Sequence, residues 1–171
     1  VRGPDGLFHL CWVWRDHYGC ESNHDLSYAR SRDLVHWEDS RGNALPLPIK
    51  LADCDIVDPV PVKGGMINGN HKIGFDSKNR VIISYHKFDA NGITQLYNAR
   101  LEDDKWVIRQ ASEWDYRWWF EGGGTIVPEV GVGSVAPEGE GRLAQTWSHV
   151  KLGEGGWLLD EETLKTVGPL D

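Results

Sequence analysis

The sequence predicts an all-β protein assembled from small repeated sheets, and three observations carry that expectation. Apolar runs are short, rich in Val, Ile, Trp and Tyr, and lack helical periodicity. Turn residues punctuate them at Pro4-Asp5-Gly6, Asp76-Ser77-Lys78-Asn79, Asp89-Ala90-Asn91-Gly92 and Glu102-Asp103-Asp104. An internal repeat relates two parts of the chain. Residues 5–37 carry Asp5-Gly6, then Tyr28-Ala29-Arg30, then Trp37. Residues 76–106 carry Asp76-Ser77, then Tyr97-Asn98-Ala99-Arg100, then Trp106.

Taken in order, strands are expected at Leu7–Val13, Asp25–Arg30, Lys72–Phe75, Arg80–His86, Thr94–Arg100, Lys105–Arg109, Arg142–Ser148 and Gly156–Leu159. Each repeat reads as one blade of a β-propeller. An inner strand follows the Asp turn, a middle strand carries Tyr-Ala-Arg, and an outer strand carries Trp. A weaker third copy starts at Gly139 and carries Trp147, Trp157 and Asp160. The blades are placed at about 5–40, 72–112 and 138–165 of one partial domain, 1–171. A connection at 42–65 is rich in proline (Pro46, Pro48, Pro59, Pro61), which a central strand does not tolerate. A blade cannot bury both faces alone. About three blades are visible, so an incomplete fold is expected. The start in mid-pattern at Val1 and the stop after Gly168-Pro169 read the same way.

Composition narrows the partners. The formal net charge is −8, which argues against nucleic acid and against an anionic membrane surface. No stretch is long and apolar enough to span a bilayer, so membrane insertion is not expected. Nine Trp against four Phe suit sugar stacking as well as blade packing. The three cysteines form no Cys-x-x-Cys pair, so neither a zinc knuckle nor a disulfide framework is expected. A single Cys11–Cys20 or Cys20–Cys54 bridge stays open.

Polar residues at strand ends are the candidates for chemistry. His71 opens one strand and His86 closes the next, so a hairpin can bring both imidazoles to one pocket. Their spacing fits no zinc motif, and imidazoles suit proton transfer near neutrality. The plain alternative for each is a hydrogen-bonded strand-end histidine. Asp115-Tyr116-Arg117-Trp118-Trp119 interleaves acid, phenol, guanidinium and indoles. Arg117 can hold a sugar carboxylate bidentately and Trp118 or Trp119 can stack on a pyranose. Equally, Arg117 can pair with Asp115 or Glu121 while the indoles fill a seam. Arg15, His24 and His149 complete the set of expected substrate contacts. Gly122-Gly123-Gly124 permits positive φ, or close backbone approach to a ligand or a neighbouring blade.

Several segments resemble the BNR-repeat, Asp-box-like family of β-propellers. They are W-V-W-R-D, N-H-D-L-S-Y-A-R-S-R-D-L-V-H-W-E, I-N-G-N-H-K-I-G-F-D, S-Y-H-K-F-D, Q-L-Y-N-A-R, D-Y-R-W-W-F-E-G-G-G and L-L-D-E-E-T-L-K. The matching subgroup is similar to seven-bladed propellers that include ulvan lyases and rhamnose–glucuronate lyases, and it also carries an α-L-rhamnosidase label. The S-R-D-L-V-H-W-E piece alone resembles five-bladed arabinanases and fructosidases. The sialidase Asp-box is half met, with Val35 where it has Gly.

The resemblance implies a secreted or periplasmic polysaccharide lyase. Its substrate would be an acidic, rhamnose- and glucuronate-type glycan, cleaved by β-elimination. It also implies a catalytic set of His71, His86, Tyr97 (or Tyr116) and Arg117, with Arg15, His24, Tyr116, Trp118 and His149 binding substrate. No cofactor and no catalytic metal is required, and a structural calcium is compatible with it. A glycoside hydrolase and a non-catalytic sugar-binding propeller are the rival readings. A hydrolase needs two flanking carboxylates, and none of Asp16, Asp25, Asp58, Asp115 and Glu121 stands out as a pair.

Overall fold

The computed structural model describes residues 1–171 and contains three antiparallel sheets. The first has β1 (Phe8–Arg15), β2 (Asn23–Ser31), β3 (Trp37–Glu38) and β4 (Ala44–Leu45) in sequential order. β5 (Asp55–Asp58) pairs with β2 beyond β3. The second is a plain meander of β6 (Lys72–Phe75), β7 (Val81–Phe88), β8 (Thr94–Glu102) and β9 (Lys105–Gln110). In the third, β10 (Val130–Val132) and β11 (Ala136–Gly139) both pair with β12 (Arg142–His149), followed by β13 (Gly153–Asp160) and β14 (Thr166–Pro169). No helix is long and apolar enough to cross a membrane.

The repeat is in register. Ala29 faces Leu10 as Ala99 faces Ile83, and Trp37 faces Ser31 as Trp106 faces Leu101. Aspartates fold the turns: Asp76 Oδ1 accepts from the Lys78 and Arg80 amides, and Asp89 Oδ1 from the Asn91 and Ile93 amides. One expectation is corrected. The strand after the Asp76 turn is the second of its sheet, because β6 lies before it. In the first sheet only an isolated Arg2–Phe8 bridge occupies that place. The stretch 42–65 is likewise more than a connection, since β4 and β5 lie in it, with its four prolines outside the strands.

Two apolar seams join the sheets. Cys11, Leu26, Tyr28, Met66, Ile83, Tyr85 and Tyr97 belong to the seam between the first and second sheets. Ile82, Leu96, Leu143, Trp157 and Leu159 belong to that between the second and third. Each fully buried leucine contributes roughly 1.5–3 kcal/mol. The second seam also holds a closed polar network. Asn98 Nδ2 donates to Gln145 Oε1 (2.9 Å), Gln145 Nε2 to Ser84 Oγ (2.9 Å), and Trp157 Nε1 to Gln145 Oε1 (3.0 Å). Full satisfaction makes such a buried network specifying rather than costly.

Strand direction gives the molecule two ends. Segments 16–22, 59–71, 89–93, 111–129 and 150–152 gather at one, called upper here. The turns at 76–80, 103–104, 140–141 and 161–165 gather at the other.

Candidate functional site

Nearly every residue singled out from the sequence belongs to the upper end, but not to one pocket. Lys72 faces Ser84, and continuing that register sets His71 opposite Tyr85, and Asn70 opposite His86. Side chains alternate across a strand, so His71 and His86 point to opposite faces of the second sheet. His71 turns toward the first sheet, with Nδ1 3.2 Å from Cys11 Sγ. Burial lowers its pKa, so the ring is neutral, and it raises the Cys11 thiol to about 12, so the pair is not a thiolate–imidazolium nucleophile. His86 turns toward the third sheet, against Trp118 (5.1 Å between ring centroids) and Phe120.

His86 is fully buried, and both ring nitrogens lack a hydrogen-bond partner. Burial pushes its pKa down to about 4; the Gly65 backbone, near but out of hydrogen-bond geometry, opposes this slightly, and His71 reinforces it. Further protein packed around this chain would not expose it. The expectation that the two imidazoles share a pocket is therefore corrected, and His86 does not reach a substrate in this structure.

Tyr97 is also separate. It stacks on Tyr85 within the first seam, donates to Gln110 Oε1 (3.3 Å), and is raised to about 12 by burial and the nearby Asp89 and Asp58. Lys87 sits over its ring but is held by Asp58 at 2.6 Å. His24 faces away from the second sheet, clamped between Asp16 (2.8 Å) and Asp25 (2.7 Å). His149 is buried against Trp114 and Tyr116, with Nδ1 accepting from the Lys151 amide and Nε2 unpartnered. Tyr116 donates to Glu129 (2.9 Å), a bond that raises its pKa, and Lys151 lies over its ring. Trp118 is buried and serves packing, whereas its neighbour Trp119 is exposed.

The exposed element at this end is a cation on an aromatic platform. Phe88 and Trp119 stack with rings 21° apart, and the Arg117 guanidinium lies 4.2 Å from the Phe88 centroid and 5.6 Å from that of Trp119. Arg117 donates to Gly92 O (3.1 Å) and has no carboxylate partner; a Cβ at Gly92 would stand 2.6 Å from the guanidinium. Pairing with Asp115 or Glu121 is not observed, and Glu121 instead accepts from the Trp119 indole (3.2 Å). Phe88 was not singled out from sequence; its place at a strand end beside Asp89 was the available signal.

A second polar feature is a cavity of about 470 Å³ lined by Arg15, Asn68, Asn70, Lys72 and Gly122–Gly124. Arg15 Nε donates to Asn23 Oδ1 (2.9 Å), and its other nitrogens reach Asn68 Oδ1 and Tyr18 O. Gly122 and Gly124 take positive φ with nothing near their Cβ positions, so backbone conformation rather than close approach requires them. No group of three or more His, Cys, Asp or Glu side chains converges as a metal site.

An all-β chain of meandering sheets with its polar residues gathered at one end defines the class. The chain belongs to the BNR repeat-containing family, whose model matches residues 1–114. Solved structures share the fold. A polysaccharide lyase, a PL25 ulvan lyase bound to -[GlcA(1-4)Rha3S]-, superposes with a TM-score of 0.69 at 11% identity, over 98% of this chain and 40% of that one. Another PL25 ulvan lyase structure gives 0.60 at 11% identity, over 95% and 42%. The chain thus spans about two-fifths of the structures it resembles. No curated protein matches it in sequence. Tyr116, Arg117, Trp118 and His149 lie beyond the family match.

Proposed function

We propose that the three sheets are consecutive blades of a β-propeller, and that its upper end acts on an acidic polysaccharide as a lyase. The observation that carries this is the exposed Arg117, unpaired and seated on Phe88 and Trp119 in a protein of net charge −8. An uncompensated guanidinium beside an open indole fits one carboxylated pyranose, by ion pair and by stacking. The PL25 neighbours, which share the fold, supply the reaction class.

In the proposed reaction, Arg117 neutralises the uronate carboxylate and so stabilises the enolate-like transition state. A base removes the C5 proton, the C4–O bond breaks, the leaving oxygen takes a proton, and a C4=C5 double bond remains. The Tyr116 phenol, which donates to Glu129, is the hydroxyl beside Arg117 in sequence assigned to give the leaving oxygen its proton. His71, neutral, suits the base if a substrate reaches its ring. No step requires a metal. Secretion is proposed on the same grounds as the substrate.

A non-catalytic glycan-binding propeller is the second reading, favoured by the scatter of His71, His86 and Tyr97 over two faces of one sheet. Incubation with a glucuronate–rhamnose polysaccharide separates the two. Growth of ultraviolet absorbance from a conjugated uronate supports the lyase, and saturable binding with no absorbance supports the binder. Sugar release without absorbance contradicts both.

A further inference from the structure

We infer that the Arg15–Lys72 cavity is a second oxyanion subsite, which takes a carboxylate or sulfate ester on a sugar unit neighbouring the one held at Arg117. The inference rests on the glycan reading above and extends it from one acidic sugar to a repeating acidic glycan.

The cavity holds two cations and no carboxylate. Neither Arg15 nor Lys72 takes part in any ion pair of the structure, although the chain carries 26 acidic residues against 18 Lys and Arg. The acids nearest to Arg15 in sequence are turned elsewhere. Asp16 meets His24 at 2.8 Å. Glu21 accepts the Gly122 amide at 2.8 Å and lies 3.8 Å from His17. Arg15 is held instead by neutral acceptors, the side chains of Asn23 and Asn68 and the carbonyl of Tyr18. These fix its orientation without cancelling its charge. Three of its five N–H groups are so used, leaving two for a ligand. Asn23 is itself buried and anchored by the Met66 carbonyl at 3.2 Å, so the support is rigid. Lys72 enters from the edge of β6, on the face that Asn70 shares. A fixed guanidinium and an ammonium flanked by amides are the equipment for a tetrahedral or planar oxyanion.

The cavity is joined to the platform by the chain itself. Trp119 stands on the Arg117 platform and Gly122–Gly124 line the cavity wall. Extended backbone spans at most about 3.3–3.6 Å per residue, so those two points lie within a disaccharide or so of one another. A second cavity of about 840 Å³ shares Asn70, Lys72 and Pro128, which leaves room for the polymer to continue.

The test uses the 171-residue chain with sodium glucuronate, sodium sulfate and neutral rhamnose as separate probes, followed by NMR at the Arg15 Nε–H and the Lys72 amide. Saturable shifts with glucuronate or sulfate, and none with rhamnose, support the subsite; which anion acts names the group it takes. Lys72→Gln should weaken that binding about tenfold, as should Arg15→Gln where it folds, while Arg117→Gln should leave it unchanged. Absence of saturable shifts with both anions, or full affinity in Lys72→Gln, overturns the inference. Loss of glycan binding in Arg117→Gln alone bears on the platform and not on this cavity.

Discussion

The two ends of the sheets treat charge in opposite ways. At the lower end a cavity of about 630 Å³ is lined by Arg80, Arg142, Lys78 and four carboxylates: Glu102, Asp160, Glu161 and Glu162. Its two arginines are consumed internally: Arg80 meets Asp76 at 2.7 Å and Arg142 meets Asp160 at 3.2 Å. Beside it the buried Arg100 bonds Asp76 and the carbonyls of Glu161 and Glu162. At the upper end Arg15 and Arg117 meet amides, carbonyls and aromatic faces, and no acid, and Lys72 takes part in no ion pair. Cavity size does not distinguish the two ends. The difference is whether the arginines are already neutralised: Arg80 and Arg142 are, and Arg15 and Arg117 are not.

The largest expected effect lies at the closed end. Arg100→Met removes one of the two guanidiniums on the buried Asp76, leaves the Glu161 and Glu162 carbonyls without their donor, and ties the second and third sheets less firmly. A loss of about 3–4 kcal/mol is expected in denaturant unfolding, from the two carbonyls left unpaired and the lost contact to Asp76. A loss below 1 kcal/mol would show that the lower end is not locked by charge.

Next comes the buried His86. Its folded pKa, about 4, lies below the ordinary 6.5. The unfolded chain therefore takes up a proton that the folded one refuses. Stability from this group is full above pH 6.5 and is lost as pH falls toward 4, by roughly 3 kcal/mol in all. His86→Leu should flatten that decline and cost little at neutral pH, since it also removes two unpartnered nitrogens. An unchanged acid limb in the variant would place the titration elsewhere.

A smaller effect concerns the platform. Trp119→Ala should leave stability within about 0.5 kcal/mol and weaken acidic-glycan binding by about 0.5–1.5 kcal/mol. Equal affinity in the variant would remove the indole from the site.

Much of this was legible in the sequence. The Asp turns and the Tyr-Ala-Arg and Trp positions fixed the repeat because each has a local physical cause. β1, β2, β6–β9, β12 and β13 were recognisable for the same reason. β3, β4, β5, β10, β11 and β14 were not; each is two to four residues long, too short for alternation to register, and several contain Gly or Pro. The histidine pair failed on parity. Phe75 faces Val81 across the Asp76 turn, and that register sends residues 71 and 86 to opposite faces. A spacing argument sees that they are near but not which way they point. Arg117 and Arg15 were legible as residue types. Their freedom from carboxylates was not, because it depends on where Glu21 and Glu121 turn in three dimensions.

The most direct measurement compares one arginine from each end. Calorimetric titration with a glucuronate–rhamnose oligosaccharide should show Arg117→Gln losing about ten- to a hundredfold in affinity, while Arg142→Gln binds as the unmodified chain does. Equal losses in both variants, or none in either, would contradict the claim that the upper end keeps its arginines free for an acidic sugar while the lower cavity does not.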